Sequence, residues 1–284
     1  MAEHTEMAVE GQAYANGGEY ISHHLGFLTY GQHPDGHWGI AHTEAEATDM
    51  GFWSIHLDTM GISVVLGLIF FGLFMTVSRK ATSGVPGGLQ NAVEMVVEMV
   101  QSSIKNSFQA RCDFLGPLAL TIFCWIFLMN LMDLVPVDLI PLAAQAISGN
   151  EHLFFKSVPS TDINITAGLS ISVFFLIIYY SIKIKGVGGF LGELAFHPFG
   201  KYALPLNLVM ELPAFFAKPV SLALRLFGNL FAGEVIFLVI GLLGKWQIFL
   251  HFPWAVFHIM VIILQAYLFM MLTIVYLNQA HQTH

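Results

Sequence analysis

The sequence predicts an all-α polytopic membrane protein with about five membrane segments. The last two form a long, strongly tilted helical hairpin, and an interfacial amphipathic helix accompanies them. Three observations carry this. Of the 284 residues, 56% are hydrophobic and only 11% charged, against about 25% charged in an ordinary soluble domain. Mean hydropathy is +0.68. Uncharged runs long enough to cross a hydrocarbon layer recur along the chain.

The first 58 residues read as a polar, acidic tail, Gly-rich and carrying seven histidines. No repeated ligand spacing organises those histidines, so they are expected to be scattered on a solvated segment. Residues 1–78 contain no Lys or Arg, and the first basic pair, Arg79 and Lys80, follows an uncharged run over 60–78. The positive-inside rule keeps that pair cytoplasmic and puts the tail outside. No basic n-region and no earlier apolar run appear, so no cleavable signal peptide is expected. The membrane domain is then 59–284. Cys112 and Cys124 fit no metal or redox spacing and read as inert thiols.

Residues 60–78 make the first span, and 85–88 a turn. Leu89, Val93, Val96, Val100 and Ile104 then recur at helical spacing with Glu94, Glu98 and Lys105 between them. That stripe is amphipathic and too charged to span, so it is expected at the cytoplasmic surface or against a partner. The second span, 114–132, leaves through Asn130, Asp133, Pro136 and Asp138 toward the outside. The third, 167–182, closes on Lys183 and Lys185. The run 186–189 is rich in glycine and reads as a loop; it follows no strand, so it is no dinucleotide motif.

Residues 204–243 form one apolar stretch interrupted by Glu211, Pro213, Lys218, Pro219, Arg225 and Glu234. As one helix it would be about 60 Å long, against about 30 Å of hydrocarbon. The next stretch, 246–279, has no formally charged residue apart from histidines and would be about 51 Å long. Two consecutive segments of that length must tilt, kink or run partly in the membrane plane. Gly244 and Lys245 mark the turn between them.

Arg225 defines the functional question. A guanidinium stays charged at any accessible pH, and placing one in the bilayer centre costs about 2.5–3.5 kcal/mol on insertion scales. On a helical wheel Ser221, Gly228, Asn229 and Ala232 fall within about 60° of it, a small and polar face that admits close approach by another helix. Glu211 and Lys218 extend the stripe, and Lys218 is long enough to snorkel to an interface. Glu234 lies about 180° round the wheel from Arg225. His258 and Gln265 share one face of the final segment, with Tyr276 near the same line. In an antiparallel hairpin this line is expected to meet Glu234 and Asn229. Carboxylate and imidazole groups exchange protons near neutral pH, so the set reads as half of a proton wire.

The segment from Lys218 through Arg225 to Glu234 resembles the signature of subunit a of the F-type ATP synthase. So do Pro253 through His258 to Gln265, the run from Phe127 to Asp133 with Pro136 and Asp138, and Pro159 to Asp162. The resemblance covers about residues 52–284. It implies a non-catalytic stator subunit in a bacterial plasma membrane, packed on a ring of c subunits and on the b subunits of the peripheral stalk. Two offset half-channels would carry protons to and from ring carboxylates. Arg225 would separate them; Asn229, Glu234, His258 and Gln265 would line the outer entry; Glu211 would sit at the cytoplasmic exit, in a channel hairpin over about 204–280. The N-terminus would be outside and the C-terminus, at His284, cytoplasmic. No metal or other cofactor and no nucleic acid is expected. Gly244 and Lys245 lack the flanking residues of a phosphate loop, so this chain is expected to bind no nucleotide. A self-contained ion-coupled transporter, with Arg225 holding an anionic substrate, is the competing reading. It favours two related halves, and no internal repeat appears.

Overall fold

Five helices in the computed structural model are long and apolar enough to cross a membrane. Residues 7–282 are described apart from 10–11, 15–17, 19–20, 22–24, 42, 83, 109–111, 137–138, 150–154 and 197–198. Asp138, His284 and the tail histidines His4, His23, His24 and His42 therefore lie outside the described residues.

The N-terminal segment carries structure that the sequence did not signal. β1 (Met7–Val9) and β2 (Gln12–Tyr14) form a hairpin. β3 (Thr29–Gln32), β4 (Trp38–Ile40) and β5 (Ile55–His56) form an antiparallel sheet in the order β4-β3-β5. Tyr30 lies opposite Ile40 on one side and Ile55 on the other. Between β4 and β5 a short helix, α1 (Glu44–Asp49), is capped by the Thr43 hydroxyl, which accepts from the Glu46 amide at 3.2 Å.

The first span is α2 (Leu57–Lys80), ending on the basic pair. It buries a narrow stripe of Thr59, Ser63, Gly67 and Phe70, while Val64, Val65 and Leu68 are exposed. A helix so apolar on its open face is suited to lipid. α3 (Gly88–Ser107) is the amphipathic helix expected from the spacing, with Val100 buried and Glu94 and Glu98 exposed. α4 (Leu115–Leu131) continues into a 3-10 turn over Met132–Leu134, and α5 (Leu139–Ser148) follows.

The third span, α6 (Ile163–Phe196), departs from the expected loop at 186–189. Helix runs on both sides, and the break is confined to Gly186, at φ 73° and ψ 164°. That combination is open only to glycine, so one residue bends the chain without a loop. Asn207 ties down the end of this helix, accepting from the Phe199 amide and donating to the Ala195 and Gly200 carbonyls.

α7 (Leu204–Gly241) and α8 (Gln247–His281) are joined by a 3-10 turn at Gly244–Trp246. At 1.5 Å per residue the 38 residues of α7 reach about 57 Å. Pro213 and Pro219 lie inside α7 and Pro253 inside α8.

The chain divides into two compact units. The first comprises Met1–Leu68, Leu128–Asp162 and Asn229–Ile262; the second comprises Ile69–Phe127, Ile163–Gly228 and Ile263–His284. In the first, Met129, Leu230, Leu238 and Ile262 are buried. In the second, Ile126, Leu226, Phe269, Met270 and Ile274 are, and Phe215 packs against Phe174 and Phe190.

Candidate functional site

Within the first unit, α7 and α8 run antiparallel, with Gly233 set against His258 and Phe237 against His251 and Trp254. A Cβ at Gly233 would overlap the His258 ring, so the absence of a side chain makes room for the imidazole. Phe237 meets the same ring edge-on, with centroids 5.3 Å apart. His258 Nε2 pairs with Asp133 Oδ2, on the 3-10 turn that ends α4, and both side chains are buried. Asp133, read from sequence as part of a polar exit, is thus a member of the site.

Glu234 is 2% exposed, and its partner is a residue that sequence reasoning passed over. Lys156 Nζ lies 3.2 Å from Glu234 Oε2. Lys156 is itself 1% exposed. Its ammonium lies 4.8 Å from the Phe27 ring centroid and 5.5 Å from that of Phe231, where aromatic faces attract a desolvated cation. Its backbone N–H donates to Asp58 Oδ2 at 2.8 Å. Asp58 also accepts from the Leu28 amide at 2.9 Å and from the Thr59 amide at 2.8 Å. Asp162 accepts from the Thr59 hydroxyl at 2.8 Å, and its Oδ2 lies 2.7 Å from His56 Nδ1.

Glu234 and His258 therefore share one buried cluster, but each is matched to a different partner. Glu234 crosses to Lys156 and His258 to Asp133. The cluster holds the carboxylates Asp58, Asp133, Asp162 and Glu234 against one ammonium, Lys156, and two imidazoles, His56 and His258. Such a set is charge-balanced only by binding protons, so it can take up and release them. One sequence signal pointed to Lys156: a lone lysine in a loop assigned to the outside runs against the positive-inside rule.

Within the second unit, Arg225 is half-buried on α7. Among the described residues it has no ion pair or hydrogen bond. The wheel places Ser221, Gly228, Asn229 and Ala232 beside it; Ser221, Asn229 and Ala232 are exposed and Gly228 half-buried. Leu226 and Leu230, further round the helix, are buried, and so is Leu222, about 60° from Arg225. The exposed part of α7 around the charge thus carries Ser221, Asn229 and Ala232 together with the apolar Val220 and Leu224. Gln265 is buried on α8.

Glu211 lines a cavity of about 320 Å³ in this unit, with Lys185, Glu193, Lys218, Tyr276 and Gln279. Lys185 pairs with Glu193 at 2.6 Å across the Gly186 break and donates to the Gln279 carbonyl at 3.3 Å. Lys218 turns into the cavity instead of snorkelling away, with Nζ 3.4 Å from Gln279 Oε1 and 5.7 Å from the Tyr276 ring centroid. A polar chamber with two carboxylates and two ammonium groups is built to hold water.

Comparison with known proteins matches residues 60–278 to the family described as ATP synthase A chain. The chain is 60% identical over 267 residues to ATP synthase subunit a 2 of Hahella chejuensis, covering 94% of this chain and 97% of that one. It is 57% identical over 274 residues to ATP synthase subunit a of a Marinomonas species, covering 93% and 96%. ATP synthase subunit a of Pseudomonas aeruginosa is 55% identical over 278 residues, with the same coverage of 93% and 96%.

Proposed function

This chain belongs to the ATP synthase A chain family, and from that premise we propose that it is the stator half of a membrane proton channel, passing protons to and from carboxylates on a rotating ring. It performs no chemistry on nucleotide; the coupling of proton flow to rotation and ATP synthesis is its contribution. The observation that carries this reading is Arg225: a half-buried permanent cation, beside the exposed Ser221, Asn229 and Ala232, with no counter-ion among the described residues. Burying a charge alone is costly. A ring carboxylate brought against the open face of α7 supplies the missing opposite charge.

The division of labour follows from the two groups of polar residues. Protons enter from the outside through Glu234, His258, Asn229 and Gln265, with Asp133 and Lys156 setting the local charge. A protonated ring site crosses the lipid neutral, meets Arg225 and gives up its proton, because a nearby cation favours the carboxylate form. The proton leaves to the cytoplasm by way of Glu211 and its cavity. The N-terminus lies outside a bacterial plasma membrane and the C-terminus in the cytoplasm. The amphipathic α3 suits the peripheral stalk b subunits or the lipid surface.

Loss of Arg225 tests this directly. At an effective dielectric of about 20, a unit charge at 4 Å opposes a proton by about 4 kcal/mol. Arg225→Ala is expected to abolish ATP-driven pumping while passive proton conductance of the head-stripped membrane sector persists or rises. Arg225→Lys keeps a charge but not the planar fork, and can lose its proton when buried, so it too fails to couple. Pumping against a gradient by a normally assembled Arg225→Ala complex would overturn the proposal.

A further inference from the structure

Resting on the proposed proton path, we infer that His56 and Asp162 form a proton-collecting pair at the outer mouth, a role separate from that of Glu234 and His258. The pair stands where buried cluster meets solvent. The His56 side chain is 18% exposed and that of Asp162 2%. His56 lines an open cavity of about 320 Å³ with Phe27, Thr29, Thr43 and Thr48, and among the described residues no other one lining that cavity is charged. Its ring stacks on Phe27 with centroids 4.2 Å apart and planes 7° from parallel. Nδ1 is held 2.7 Å from Asp162 Oδ2. His56 thereby commits one edge of its imidazole to a carboxylate and also lines the cavity.

That arrangement can pass a proton inward. Water in the cavity delivers a proton to Nε2, giving the imidazolium. The Nδ1–H bond then breaks and an O–H bond forms on Asp162, leaving the ring neutral with its proton on Nε2. Asp162 releases the proton inward and becomes carboxylate again; a half-turn of the ring about Cβ–Cγ turns the bare Nδ1 toward the cavity, water protonates it there, and the return turn restores the imidazolium beside the carboxylate. The segment that carries Asp162 also carries Lys156, whose Nζ lies 3.2 Å from Glu234 Oε2. The other groups around the pair are fixed in role. Asp58 is saturated by three backbone N–H donors, the Thr59 hydroxyl donates to Asp162, and Lys156 is committed to Glu234. Imidazole is the side chain whose charge changes between pH 5 and 8, so a collector built on it matters most where protons are scarce.

The test uses the assembled, head-stripped membrane sector in proteoliposomes with the outer face toward the bath. Potential-driven proton uptake is followed with an internal pH dye while bath pH is varied. For His56→Gln, uptake is expected to fall about a hundredfold near pH 8, the lower end of what a positioned acid–base group contributes, and to stay within about twofold of the parent near pH 6. The proton concentration for half-maximal flux rises while maximal flux is kept. In His56→Ala, imidazole added to the bath should restore uptake near pH 8, because the vacated ring site opens on the cavity; the parent should not respond. A uniform loss at every pH, an unchanged proton dependence, or no response to imidazole would each show that the pair only pins β5 to the turn before α6, and would overturn the inference. Should the parent sector itself conduct no protons, the proposed function fails; should it conduct and the His56 variants track it, only the collecting role fails.

Discussion

Removing the Lys156 ammonium is the sharpest test of how the buried cluster is held together. At 3.2 Å and an effective dielectric of about 20, the attraction to Glu234 is about 5 kcal/mol. Desolvation of both ions offsets most of that, so the intact pair contributes little net stability. Deleting one partner is a different matter, because the other charge stays buried and uncompensated at a cost of about 3–5 kcal/mol. Lys156→Met should therefore destabilise the chain by about that amount. Lys156→Arg, which keeps a cation beside Phe27 and Phe231, should cost less. The double variant Lys156→Met with Glu234→Gln removes both charges and should recover most of the loss, giving a coupling of at least about 2 kcal/mol. Unfolding of the purified chain in mixed micelles, followed by loss of helicity, reads these values. Proton flux should stay low in the double variant, because the titratable carboxylate is gone. Additive single losses, or a Lys156→Met protein as stable as its parent, would refute the claim that this lysine is the counter-ion of Glu234.

Further outcomes are expected elsewhere. Gly233→Ala would drive a methyl into the His258 ring and should cost about 1–3 kcal/mol as overpacking, with slower proton uptake; normal flux and stability would show that α7 and α8 separate there freely. Gly186→Ala must hold a side chain at φ 73° and should destabilise by about 1–3 kcal/mol, measurable in the same micelle titration; a neutral result would mean the break straightens at no cost. Single cysteines near residues 20 and 280, labelled from outside intact cells, should react only at the N-terminal site; the reverse pattern would sink the assigned orientation.

What the sequence disclosed and what it withheld divide along a physical line. Spans are written locally: an uncharged run such as 60–78 or 246–279 states its own length and environment, and the structure places helices over both. The amphipathic α3 was legible for the same reason, since a helical repeat of Val93, Val96 and Val100 needs no partner to be seen. Gly186 shows the limit of local reading. Glycine at 186, 188 and 189 argues for a loop, yet only Gly186 leaves the helical region, and the flanking helix continues because the other two glycines pay only a propensity cost of about 1 kcal/mol each. β3 and β5 were invisible because strands of four and two residues carry too little alternation to register. The site was half legible. Arg225, Glu234 and His258 announce themselves because charge or imidazole inside an apolar run is expensive. Their partners do not: Asp133 is separated from His258 by 125 positions, and Lys156 sits in a polar loop where a solvated lysine is the ordinary expectation. Only the fold turns that lysine inward, by giving its amide to Asp58 and its ammonium to Glu234. The residues that tune the proton path therefore lie in the segments whose sequence looks least like a membrane protein.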